Sequence, residues 1–374
     1  MWEIKTSRLI AGLDLLNLIP EKVGLSSSEF VWMHGKDDKV VLSVASYIMG
    51  EIVLTGKGTF PKGDYYIDRR VLLPFVYASK ELKNKNTFQF DIKKHQLIVR
   101  HGSRKAVFDS QKDVSGYGDL KKVLKQEESE IPVNDDLKEL LICGANCAVS
   151  DSIVPHLNCC FVAKGKAVET FAASDKVFFM GTGDAKGKIK SSIPFPLFLI
   201  NLLQEPTLKR ISWRGKYIVL EFERGIIWQS ISQEALKNFP LRDIRKHATA
   251  AATKKISFVV SGRRFSKLML RLSYYLQGAR RRDWVVKIKG SKNSNLLQVS
   301  TNIPGVTFDE KINANDKLQK DILVEWPLDI LEKVFAFLAV KTKGLGLSCR
   351  IDDKHGVSYL TAGQFWLAIT SKKE

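Results

Sequence analysis

The sequence is short of acid. Forty Asp and Glu stand against 59 Lys and Arg, a formal net charge of +19. A solvated surface needs charge, but not so one-sided a balance. The excess points to polyanionic partners, nucleic acid above all. Cysteine is scarce too: Cys143, Cys147, Cys159, Cys160 and Cys349. An odd number without framework spacing argues against a disulfide scaffold. Cys143 and Cys147 lie four apart in a helical pattern, followed by Cys159 and Cys160 in a strand pattern. A zinc site is one reading; small apolar residues in a reduced core is the favoured one. No apolar run is long enough for a membrane span, and PFPLFLINLL at 194–203 is the longest. At the start, Glu3, Lys5 and Arg8 interrupt the apolar residues, unlike a signal peptide. A soluble, cytoplasmic protein with no membrane partner is expected.

Catalytic sets are missing as well. GTGDAKGK at 181–188 lacks Walker A spacing and lies in an expected hairpin, so a flexible basic loop is the better reading. There is no HExxH and no GxSxG. The six histidines are scattered. Asp37-Asp38, Asp135-Asp136 and Asp352-Asp353 fall at turns or a helix start, where Asp serves structure. No enzyme activity, cofactor or metal is expected.

What is present is a threefold plan. Helix onsets near 7, 136 and 263 are about 128 residues apart, a domain-sized interval. Copy one opens with SRLIAGLDLLNLI, where Leu9, Leu13 and Leu16 share a face. Copy two opens with NDDLKELLICGANCAVS, and IPFPLFLINLLQE is expected as its second helix, with Pro194 or Pro196 in the first turn. Copy three carries GRRFSKLMLRLSYYLQ at 262–277, and a helix is expected after Pro327. Between helices run short strand patterns with tight turns, for example at Lys94-His95, Gly102-Ser103 and Lys354-His355-Gly356. The fold class is therefore α+β: three tandem domains at 1–118, 131–240 and 250–374, each with two helices on an antiparallel sheet. The charged stretch 112–130 reads as a linker, with a short surface helix as the alternative.

Basic residues sit on the helices. Arg264, Lys267 and Arg271 form a stripe beside the apolar Phe265, Leu268 or Met269, and Leu272. Arg263 precedes them and Arg280, Arg281 and Arg282 follow. Arg69, Arg70, Lys80 and Lys83 flank the second helix of copy one, and Arg8 lies on its first. A solvated face would interleave Glu, and 261–282 has none. Phosphate contact without base readout is the expectation.

Four segments carry a resemblance in order and at the right intervals: HLNCCFVAKG (156–165), TFAASDKVFF (170–179), FPLRDIRK (239–246) and QFWLAITS (364–371). With the threefold plan, they resemble the bacterial sliding clamp family, the β subunit of DNA polymerase III. The resemblance covers nearly the whole chain. It implies a ring-forming DNA-clamp fold, a head-to-tail homodimer ring around double-stranded DNA, and tethering of a DNA polymerase. It also implies a clamp loader that opens the ring, and no bond chemistry. Nucleoid association follows, or the host cytoplasm for a viral chain. DNA-binding residues would be Arg8, Arg69, Arg70, Lys80, Arg263, Arg264, Lys267 and Arg271. A partner-peptide pocket would use Leu157, Ser174, Val177, Phe178, Phe179, Pro240, Phe365 and Leu367. Ala106 and Phe108 would meet Tyr274 and Tyr275 at the subunit interface.

Two departures stand out. Lys176-Val177-Phe178 replaces the family's Gly-His-Arg, so a greasier pocket is expected. PFPLFLINLL carries no basic residue, so no DNA contact is expected from that helix. In FPLRDIRK, Phe239 and Pro240 would form the pocket rim with Ile244 facing it. Arg242, Arg245 and Lys246 would face solvent. Two other readings remain open: a basic clamp-fold scaffold for transcription or recombination that does not slide, and a nucleic-acid enzyme.

Overall fold

The computed structural model describes the chain apart from residues 22–25, 37, 81–86, 94, 112–113, 115, 118–119, 127, 132–134, 149–156, 164–167, 175–176, 184–191, 276–284, 304–305, 328–345 and 371–374. The basic run Arg280, Arg281 and Arg282, Lys83 and the helix expected after Pro327 lie outside the described residues.

The chain forms two compact units, Met1–Ile131 with Gln204–Ile231, and Pro132–Leu203 with Ser232–Glu374. The segment 131–240 is thus divided between them. Its strands pair with sequence-distant partners, and this pairing sets the division.

In the first unit a five-stranded sheet runs Lys57–Gly58, Trp2–Lys5, Thr87–Lys93, Gln96–His101, Arg104–Asp109. An eight-stranded sheet runs Glu128–Ile131, Leu208–Arg214, Tyr217–Phe222, Gly225–Ser230, Ile48–Thr55, Lys39–Ala45, Phe30–Lys36, Gly63–Asp68. Gly225–Ser230 pairs antiparallel with Ile48–Thr55 and makes one sheet of two copies' strands. Helix Thr6–Asn17 buries Leu9, Ile10, Leu13, Leu15 and Leu16. Its Gly12 permits the close approach: a Cβ there would stand 2.5 Å from Ile52 Cδ1. Helix Arg69–Tyr77 starts at Asp68, whose carboxylate accepts from Arg70 N at 2.8 Å. The stretch 112–130 is more than a linker. It contains helix Leu120–Leu124 and strand Glu128–Ile131, and Leu120 and Val123 pack with Val219 and Trp228.

In the second unit an eight-stranded sheet runs Ile193–Pro196, Cys159–Val162, Val168–Ala173, Val177–Gly183, Phe365–Thr370, Val357–Ala362, Gly346–Asp352, Phe258–Ser261. The join is the antiparallel pair Val177–Gly183 with Phe365–Thr370. A four-stranded sheet runs Val306–Asn313, Leu296–Ile303, Val285–Gly290, Ile322–Pro327. Helix Asp135–Cys147 covers one face of the large sheet, burying Leu137, Leu140, Leu141, Cys143 and Cys147. At Gly144 a Cβ would lie 3.0 Å from Cys160 Sγ and 3.3 Å from Phe179, so the helix needs Gly to sit this close. All five cysteines are buried free thiols. Burial pushes Cys159 up to about 12 and raises the other four, so they stay neutral.

The helix expected in IPFPLFLINLLQE is shorter than its pattern. Ile193–Pro196 is a strand, Pro194 lies within it, and Pro196 is the N-cap of helix Leu197–Asn201. The segment FPLRDIRK, expected as a pocket rim, opens a helix, Leu241–Thr253.

Candidate nucleic-acid interface and docking face

The basic helix Gly262–Tyr275 packs through Phe265, Leu268, Met269 and Leu272, all buried, with Phe265 edge-on to Trp326 at 6.2 Å. Its apolar spacing of three and four leaves Arg263, Arg264, Lys267 and Arg271 exposed. No acidic residue occupies the first turn, where Arg263 and Arg264 sit. Cations there oppose the helix dipole at about 0.3–1 kcal/mol each, so helix stability does not explain them. Arg271 pairs with Glu310 on strand Val306–Asn313. Arg263, Arg264 and Lys267 have no acidic partner among the described residues. A cleft of about 210 Å³ lies between helix and strand, lined by four cations, Arg264, Lys267, Arg271 and Lys311, against one acid, Glu310, with Asn313, over Leu268 and Ile312.

In the first unit the expected basic residues are differently used. Arg69 is 3% exposed. Its guanidinium donates to Asn17 O at 3.0 Å and Asn17 Oδ1 at 3.1 Å, at the end of helix Thr6–Asn17. It satisfies carbonyls the helix end leaves open and is not on a phosphate-facing surface. Arg70 donates to Asp68 through Nε at 3.1 Å and Nη2 at 2.8 Å. Lys80 lies 3.7 Å from Asp14 and over the Tyr77 ring. Arg8 is exposed.

The expected pocket residues divide by strand alternation. Val177, Phe179, Phe365 and Leu367 are buried, and Phe179 stacks with Phe365 at 6.3 Å on the side of helix Asp135–Cys147. Phe178 belongs to the opposite face, with Met180, Trp366, Ala368 and Tyr359. Leu157 packs on that face and Pro240 caps the helix that covers it. Ser174 Oγ accepts from Val177 N at 3.0 Å within the hairpin turn. The eight residues therefore do not line one cavity. Trp366, Tyr359 and Met180 were missed; period-two alternation from Ala368 and Phe178 could have found Trp366 and Met180, whereas Tyr359 joins only through its cross-strand pairing with Ala368.

The connector helix Leu241–Thr253 lies on this face. Of its 13 residues only Ile244 and Ala251 are buried. Phe239 stacks on Phe161 at 4.7 Å before its start, and Lys254 reaches Asp352 at 2.9 Å after its end. Arg245 pairs with Glu169 at 2.6 Å. His247 packs by Phe178 at 5.5 Å and lies 3.3 Å from the Tyr359 hydroxyl; burial lowers its pKa.

No protein-family model matches the sequence, and no curated protein matches it either. Solved structures do. The DNA polymerase III β subunit of Pseudomonas aeruginosa superposes with a TM-score of 0.80 at 13% identity, covering 100% of both chains. A putative DNA polymerase III β subunit from Eubacterium rectale gives 0.80 at 11%, covering 100% of this chain and 99% of that one. The Helicobacter pylori β clamp bound to a DNA ligase peptide gives 0.75 at 12%, with the same coverage. This chain has the bacterial sliding-clamp fold.

Ala106 and Phe108 are on Arg104–Asp109, the end strand of the five-stranded sheet. Phe108 is buried against Phe75 at 5.7 Å, Ala106 is half-buried, and Val107 between them is exposed. Tyr274 is 62% exposed. The side chain of Tyr275 lies outside the described residues. No described helix is long and apolar enough to cross a membrane.

Proposed function

We propose that this chain is a DNA sliding clamp: two copies join head to tail, encircle duplex DNA and tether a polymerase, and a loader opens the ring. The basic helix Gly262–Tyr275 carries the reading. It exposes Arg263, Arg264 and Lys267 without acidic partners among the described residues, and places two of them where a helix alone disfavours cations. A polyanion supplies the missing countercharge. The clamp fold over the full chain and the net charge of +19 support the same conclusion. In the ring, the end strand Arg104–Asp109 would pair with the domain-three edge of the other copy, hiding an otherwise open edge. The clamp carries out no bond chemistry itself. Partners dock on the Phe178, Tyr359 and Trp366 face.

The test is retention on closed circular DNA after loading, compared with the same DNA linearised. Retention on the circle and loss from the line supports encirclement. Equal loss, or a stable monomer at micromolar concentration, contradicts it. Direct binding to linear DNA that collapses with salt would favour the non-sliding scaffold.

A further inference from the structure

The face under the connector helix is continuous across four strands. Phe171 and Ala173, Phe178 and Met180, Trp366 and Ala368, and Val357 and Tyr359 all point to it by register. Trp366 stacks with Tyr359 at 5.9 Å. This broad aromatic surface is covered by a helix with a thin apolar stripe: Leu241, Ile244, His247 or Ala248, and Ala251. The stripe advances at spacings of three and four, the pattern of a helix laid into a groove. The helix has no side-chain N-cap bond, and no basic residue in its last turn. Four alanines among residues 248–252 favour helix, but a 13-residue segment without a side-chain N-cap is marginal by itself, so its helicity depends on the face and is lost by local opening when it leaves. The rim contributes two acids: Glu169 meets Arg245, and Asp352 meets Lys254.

We propose that the connector helix is a displaceable internal ligand of this face. The face is a site for a partner's amphipathic helix with a small apolar stripe and basic flanks. Leu241–Thr253 occupies it in competition with that partner. The chemistry of the occupant is visible in the connector itself: an Ile anchor, Ala where the helix approaches most closely, and cations at Glu169 and Asp352. This proposal deepens the docking reading, and rests on that reading only in calling the occupant a partner. DNA encirclement is not needed for it.

The probe is a fluorescein-labelled synthetic peptide of residues 239–254, titrated against the full-length chain. In wild type the site is filled and binding is weak. In the double variant Ile244→Asp and Ala251→Asp the internal helix cannot seat, and the apparent affinity rises by about tenfold or more, since occupancy no longer reduces the competent fraction. Adding Glu169→Lys at the rim lowers that affinity, and a peptide carrying Arg245→Glu restores it. Equal binding to wild type and a folded double variant overturns the proposal, as does failure of the charge swap to rescue. Hydrogen exchange on the unaltered protein gives an independent reading. Amides of 241–253 exchange faster than those of Val177–Gly183 and Phe365–Thr370 by about a hundredfold or more, the mark of local opening. Exchange of helix and strands at one common rate overturns the proposal even if the variants do not fold. Circular-DNA retention by the same double variant shows separately whether encirclement holds.

Discussion

Two helices of this chain open with adjacent arginines, and the pairs have different fates. In the first unit, Arg69 is buried on the carbonyls of Asn17, and Arg70 is chelated by Asp68. In the second, Arg263 and Arg264 are exposed with no acidic partner among the described residues. The difference lies in what precedes each pair. Asp68 caps the first helix and neutralises its arginine, whereas Ser261 and Gly262 before the second supply no charge. Basic residues at a helix start are thus not one kind of signal. One pair belongs to the stability of its unit, and the other is available to a polyanion.

The largest expected effect comes from the open pair's helix. Arg264→Glu with Lys267→Glu should weaken DNA association by about a hundredfold at low salt and flatten the log–log salt dependence by about 1.8, two phosphate contacts' worth. Fluorescence anisotropy across a salt series measures both, and an unchanged slope would put this helix on a solvated face. Next is Arg69→Met, which should cost about 2 kcal/mol by urea unfolding, because buried carbonyls lose a charged donor. DNA association should stay within about twofold of wild type. A large DNA defect in a stable protein would erase the contrast between the two pairs.

A third prediction concerns an internally held cation in the second unit. Donation from Lys254, then from His355, lowers the Asp352 carboxyl to about 2. A depressed carboxyl stabilises the fold above its unfolded value, about 3.9, and that contribution is lost as pH falls toward the folded value. Acid unfolding of wild type should therefore steepen between about pH 4 and 2, and Asp352→Asn should remove that part of the pH dependence. An identical acid profile for both would show that the pair does not form in solution. The smallest effect is expected from Arg70→Gln, which removes an exposed, solvent-screened ion pair and should leave both urea stability and DNA association nearly unchanged.

Much of the fold is readable along the chain because its periodicities are local. Leu9, Leu13 and Leu16 mark the first helix, and Phe265, Leu268 and Leu272 mark the basic one. The sharing of sheets was not readable: Gly225–Ser230 finds Ile48–Thr55 far back in the sequence, and no local pattern records that. The connector helix was hidden because its stripe is largely alanine and its start, FPLRDIRK, shows charge before apolarity. For the docking face, residue-by-residue transfer from the family placed Phe178 and Phe179 in one pocket. Adjacent residues of a strand point to opposite sides, and the structure puts one under the connector helix and the other under Asp135–Cys147. Among the expected DNA residues, Asp68 marks Arg70 as paired, but nothing beside Arg69 in the sequence announces its burial on Asn17.

Encirclement of DNA is the property that separates a sliding clamp from a basic scaffold most directly. The direct measurement is the half-life of labelled protein, loaded at physiological salt, on a nicked circular plasmid before and after a single restriction cut. Encirclement predicts long retention on the circle and rapid loss through the free ends once the plasmid is cut. Equal half-lives on circle and line, or loss from both at that salt, would contradict it.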